Sequence, residues 1–320
     1  MKANQPQIII GICLLLGVGA AVVFLLLRSV SQGQVPPPRW KATVEQMKGR
    51  FLSYGGAAAL DATSGRLFVW GGATPDGVDP FALRVIKLPA GEAEPVPVNG
   101  PAPQGTFVPS MALDTKRSTL FFFGGWINST NRPSHDLFKI DLKDQEKVWL
   151  QVPRQTPWPP RRNGAALVYD KVGDCLLLFA GDGGQTADGS FSPLADLWRY
   201  DLANGSWSKV KDKGQRPPAR WHPMMAVDSD SRRAYLLGGA GLGEWGWDPA
   251  LYELDLDSYT WTRVGTVGAA PPSMQGGSLQ IDVQRRLLVL AGGLRHEGPG
   301  SATCSEVWLL DMDTRYWQRI

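Results

Sequence analysis

An all-β fold of repeated four-stranded units is the architecture this sequence predicts, on three observations. An apolar run ending in Asp recurs at Asp61, Asp114, Asp170, Asp228 and Asp282, in steps of 53, 56, 58 and 54 residues. A second apolar run follows and ends in a glycine pair: Gly71-Gly72, Gly124-Gly125, Gly238-Gly239 and Gly292-Gly293, with Ala180-Gly181 in the third copy. A tryptophan closes four of the five copies (Trp149, Trp207, Trp261, Trp317), and the first three of these stand 21 residues before the next Asp. Such self-similarity marks a unit that cannot bury its apolar faces alone and must stack on its neighbours.

The strands follow within each copy. The second copy runs Val108 to Leu113, Leu120 to Phe123, Asp136 to Leu142 and Val148 to Val152. These stretches are rich in Val, Leu, Phe and Trp and bounded by Gly, Pro, Asp and Asn, which is how strands read. None is long enough or periodic enough at 3.6 residues to be a helix. The first copy lacks the late aromatic and carries Glu94-Pro95-Val96-Pro97-Val98 instead. Four strands in about 55 residues fit the blade of a β-propeller.

The double glycine after the second strand, the stretch Asp196-Leu197-Trp198-Arg199-Tyr200-Asp201-Leu202 and the downstream Trp207 resemble Kelch repeats over residues 55 to 320. The resemblance implies a Kelch-type propeller of five four-stranded blades plus one extra outer strand. That strand is marked by Trp40, itself 21 residues before Asp61. It leaves activity open, because Kelch propellers serve as binding scaffolds, as enzymes and as cytoskeletal adaptors. Physically, the glycines suit places where backbones crowd and φ turns positive. The tryptophans suit packing of an outer strand against the next blade.

The N-terminus reads differently. Residues 1–7 form a short tail, 8–27 a run of twenty uncharged residues, 28–38 a Pro-rich linker and 39–320 the propeller. At about 1.5 Å per residue a helix of that length spans the hydrocarbon core. The run is longer than a signal peptide's apolar core, so a single uncleaved transmembrane helix is predicted. Lys2 on one side against Arg28, Arg39 and Lys41 on the other would keep the propeller cytoplasmic. A short tail before a signal-like segment argues for export. We take the periplasmic, lumenal or extracellular side as the expectation.

A net charge of +3 with scattered basic residues gives no basis for nucleic-acid binding. Of three cysteines, Cys13 lies in the apolar run, and Cys175 and Cys304 fall in blades too far apart to bridge. No His-Glu-x-x-His, phosphate-cradling loop or Gly-x-Ser-x-Gly motif occurs, so no catalytic residue, metal or cofactor is assigned.

Strand alternation sorts the loops into two faces. Turns such as Ala62 to Gly65 and Thr115 to Arg117 are tight, while loops 73–81, 126–135, 182–195, 240–250 and 294–305 are long. Function concentrates in long loops on a rigid frame. The candidate binding residues there are Trp126, Arg162, Arg220, Trp221, His222, Trp245, Trp247 and His296. Arg beside exposed Trp suits carboxylate or sugar recognition. The expected function is a membrane-anchored scaffold that binds a protein or glycan. The alternative is a sugar-active enzyme, epimerase- or isomerase-like, working with polar residues at the channel mouth.

Overall fold

The computed structural model describes residues 9–16, 19–27, 42–46, 54–73, 81–87, 93–186, 189–242, 248–297, 300–304 and 306–320. Five antiparallel sheets appear where the repeats place them. Blade 1 comprises Tyr54–Asp61, Arg66–Ala73, Arg84–Lys87 and Ala93–Pro95. Blade 2 comprises Ser110–Asp114, Thr119–Phe123, Leu137–Asp141 and Leu150–Gln151. Blade 3 comprises Ala166–Asp170, Cys175–Phe179, Leu197–Asp201 and Ser206–Lys209. Blade 4 comprises Met224–Asp228, Arg233–Leu237, Leu251–Asp255 and Thr260–Val264. Blade 5 comprises Ser278–Asp282, Leu287–Ala291, Val307–Asp311 and Tyr316–Arg319. In each sheet the strands run in chain order from first to fourth, and first strands of successive blades lie side by side.

The recurring Asp residues make the turns. Asp114, fully buried, accepts the Lys116 and Arg117 amides at 2.9 and 3.1 Å. Asp170, Asp228 and Asp282 do the same for Val172, Ser231 and Arg285. At the turn between third and fourth strands Asp141, Asp201, Asp255 and Asp311 repeat the device. A carboxylate that satisfies its own turn amides closes a hairpin without outside help.

The glycine pairs seat the connection to the next blade. The second glycine donates its amide to a linker carbonyl: Gly125 to Arg162 at 3.1 Å, Gly181 to Arg220 at 2.9 Å and Gly239 to Met274 at 2.9 Å. The first glycine has positive φ, and a Cβ on Gly124 or Gly238 would collide with that same carbonyl.

The outer-strand tryptophans are buried as expected, but they reach the preceding blade rather than the next. Trp149 packs on Trp70 (4.5 Å between centroids), Trp207 on Phe123 (5.6 Å) and Trp261 on Phe179 (5.1 Å). The linkers add more. Lys213–Gly214 and Val267–Gly268 pair in parallel outside the fourth strands of blades 4 and 5, an extra edge invisible to the repeat pattern.

The N-terminus departs from expectation. Ile9–Leu16 and Gly19–Leu27 are antiparallel strands, and Ala42–Gln46 pairs with the second of them. The run 8–27 is therefore not drawn as a helix. Among the described residues no helix is long and apolar enough to cross a membrane. Ala42–Gln46 is the third strand of this sheet rather than a lone outer strand, and Trp40 lies outside the described residues. Ile9–Leu16 stands beside the first strands of both blade 1 and blade 5, so a three-stranded sheet occupies the gap between the ends of the five-blade array. Second strands of the blades, such as Thr119–Phe123 and Cys175–Phe179, are buried on both faces. Such strands read as unbroken apolar runs that periodicity alone does not separate from a helix.

Candidate functional site

The long-loop side of the ring opens into a cavity of about 210 Å³ at the axis. Its mouth is formed by the segments that lead into the first strands, among them Gly55, Val108, Gly164, His222 and Gln275. Apart from His222, the described lining is apolar side chains, backbone, two glutamines and two serines.

His222 is held in place by its backbone. Its φ is +52°, its amide donates to Gly164 O at 2.7 Å, and its carbonyl accepts the Gly276 amide at 3.0 Å. The ring lies over Gly164, where a Cβ would strike it. Desolvation lowers its pKa to about 4, outweighing Asp182 and Gln275, so the imidazole is neutral at pH 7. Gln275 Oε1 is buried there without a hydrogen-bond partner among the described residues.

Trp221, next to His222, is half-buried. Its backbone pairs with Ala240 at 2.7 and 2.9 Å, and its ring stacks on Phe191 at 5.4 Å and 41°. Phe191 sits on the blade 3 hairpin Asp182–Gln185/Phe191–Pro193 and is half exposed. Leu242, also half exposed, lies in the blade 4 loop that follows Ala240. Phe191 was not among the sequence candidates. The available signal was an aromatic inside the Gly- and Ser-rich stretch Gly189 to Ser192, where no strand pattern required one.

Arg162 and Arg220 belong to the frame. Both are buried, at 0% and 2% exposure. Arg162 grips both oxygens of Asp196 at 2.8 and 2.9 Å and donates to Ala180 O at 2.9 Å. Arg220 donates to Asp248 and Gly238 O, each at 2.8 Å, and stacks over Tyr252, whose hydroxyl also bonds Asp248. With its carbonyl on the preceding blade's glycine and its side chain on its own blade, each arginine staples two blades together. Burial raises the Asp196 and Asp248 carboxyls, but their arginines outweigh it and hold both below the usual carboxylate range.

The remaining candidates are spread round the rim. Trp126 is half-buried in a short hairpin with Pro133 and pairs through its amide with Phe107 O at 2.7 Å. His296 is exposed on the blade 5 hairpin Leu294–Glu297/Gly300–Thr303. Trp245 and Trp247 lie outside the described residues. The structure thus brings Trp221, His222 and Arg220 together and leaves Trp126 and His296 on other blades. Among the described residues no group of acidic, His and Cys side chains could hold a metal. Cys175 and Cys304 are free and buried.

Residues 115–320 match the KLHDC2/KLHL20/DRC7 Kelch-repeats domain. The chain belongs to the Kelch-repeat family. It is 28% identical to the leucine-zipper-like transcriptional regulator 1 homolog of Drosophila melanogaster, over 63% of this chain and 20% of that protein. It is 24% identical to host cell factor 1 of Homo sapiens, over 78% of this chain and 13% of that protein. It is 27% identical to acyl-CoA-binding domain-containing protein 5 of Arabidopsis thaliana, over 62% of this chain and 30% of that protein. The chain therefore spans less than a third of the length of these relatives. The solved structure of YjhT superposes with a TM-score of 0.59 over 83% of both chains at 16% identity, a likeness of fold.

Proposed function

We propose that this Kelch propeller is an interaction scaffold that captures a protein partner on the channel mouth of its long-loop side, around Phe191, Trp221 and His222. The observation that carries the reading is the tilted Phe191–Trp221 aromatic pair: Phe191 is half exposed, and Trp221 precedes His222, which lines the cavity. An exposed aromatic anchor next to a concavity is the usual core of a binding surface. Trp126 and His296 extend the same face. The described cavity offers a single imidazole rather than a paired acid and base, which supports a binder over a sugar epimerase. The relatives support a module inside larger proteins, since they are several times longer than this chain. Pull-down from a lysate, comparing the wild type with Phe191→Ala/Trp221→Ala, tests the site. Loss of specific partners with unchanged melting temperature is expected, and capture that survives both changes refutes the site.

We also propose a membrane anchor in residues 8–27, with the propeller on the periplasmic, lumenal or extracellular side. Two features support it: the twenty residues carry no charge, and Leu16-Gly17-Val18-Gly19 lacks the Asp that ends the first strand of all five blades. This seat and the strand pairing of 9–27 exclude each other. Alkaline carbonate extraction should leave an anchored protein in the membrane pellet; release of the intact chain would place the run in the ring.

A further inference from the structure

The rim between blades 2 and 3 holds a second cluster that the proposal above does not use. Arg132 and His135 come from the blade 2 loop, and Arg154 and Arg161 from the linker to blade 3. Loop and linker are tied together. Trp158 Nε1 donates to His135 O at 2.7 Å, and the Arg162 amide donates to Ser134 O at 3.0 Å. The cluster is thus mounted on a fixed frame rather than on free chain ends.

Its charge is unbalanced. Asp136 is the acidic group facing it, and that carboxylate is already shared. Arg154 bonds one oxygen at 2.9 Å and Gln151 the same oxygen at 3.1 Å, while Ser134 bonds the other at 2.9 Å. Among the described residues Arg161 donates to Pro133 O alone, at 3.3 Å. Arg132 is exposed and has no ion pair among the described residues. Three guanidiniums against one carboxylate leave two positive charges in excess.

Burial first, and the neighbouring charges after it, act on the members. Desolvation, then Arg132 and Arg154, push Arg161 below the ordinary guanidinium range, and Asp136 offsets this only in part. Desolvation, then Arg161 and Arg154, lower His135, with Arg132 adding to them and Asp136 opposing. His135 Nε2 is buried and has no hydrogen-bond partner among the described residues. Like charges gathered around a buried, unsatisfied nitrogen lower stability unless something arrives to bond them.

We infer that Arg132, Arg154 and Arg161, grouped around His135 on the blade 2–3 rim, form a binding site for a multiply charged oxyanion of the phosphate or sulfate class. Guanidinium groups present paired donors that match such oxygens, and an excess of them on one rim favours a multiply charged anion. The site has its own residues and stands or falls independently of partner capture at Trp221.

The test is calorimetric titration of the full chain in neutral detergent at constant ionic strength. The probes are inorganic sulfate, inorganic pyrophosphate, and a phosphoserine peptide with its unphosphorylated counterpart. Saturable binding of a free oxyanion, or of the phosphorylated but not the plain peptide, is expected, and the two arms tell a small-molecule source from a protein-borne one. Arg132→Gln and Arg154→Gln should each weaken the bound probe about tenfold. Without probe, Arg132→Gln should leave the melting temperature unchanged or raise it, because it relieves repulsion. The inference is overturned if no probe binds saturably, or if Arg132→Gln lowers the melting temperature while binding persists unchanged.

Discussion

The two faces of this propeller are built by different rules. On the tight-turn face the same chemistry returns blade after blade. A buried Asp bonds its turn amides, and arginines run between neighbours: Arg117 to Asp174 of blade 3, Arg232 to Asp170 of blade 3. On the long-loop face the linkers repeat Pro-Pro-x-Arg at Arg162 and Arg220, but the loops between second and third strands differ from blade to blade, and one of them carries Phe191 against Trp221. Repeated chemistry holds the fold, and unrepeated chemistry is what is free to serve binding. Arg162 and Arg220 make the point. They lie toward the long-loop side but occupy equivalent positions, and both are buried staples. Trp221 and His222 follow only one of them, and His222 lines the opening.

The largest expected effect is on a staple. Arg220→Met leaves Asp248 buried without its cation and should cost about 3–5 kcal/mol, read from chemical denaturation. Adding Asp248→Leu should recover most of that loss, because a buried pair is often replaceable by apolar groups. Trp261→Ala should cost a similar amount, about 3–5 kcal/mol, by opening the blade 3–4 core.

Acid should act in two windows. His222 has a folded pKa of about 4, below its ordinary 6.5, so the unfolded chain binds the extra proton first. Stability is lost as pH falls from about 6.5 toward 4, and His222→Asn should flatten that part of the curve. Asp196 and Asp248, both depressed, contribute stability that is present above their ordinary value of 3.8 and lost as pH falls through the folded values. The smallest effect belongs to the exposed turns. Arg117→Ala should change stability by about 0–1 kcal/mol, since its side chain is largely solvated.

Much of the frame was legible because repetition leaves a mark at fixed spacing. Asp114, Gly124 and Trp149 each identified a turn, a crowded linker and a packed outer strand. The direction of the tryptophan contact was not legible, since spacing does not say which neighbour a ring meets. The run 8–27 is ambiguous for a physical reason: a doubly buried strand and a membrane helix share one composition. Arg162 and Arg220 were readable as frame from their equivalence, yet their residue type suggested ligand binding. Phe191 and the Arg132–Arg161 cluster were not legible. Their members come from loop and linker segments that only the fold brings together.

The central claim is that the unrepeated face binds and the repeated face does not. Cross-linking mass spectrometry on a captured complex tests it most directly. Contacts should map to residues near Phe191, Trp221 and His222, with the turns around Arg117, Asp174 and Arg232 untouched. Cross-links concentrated on those turns, with the Phe191–Trp221 rim free, would contradict it.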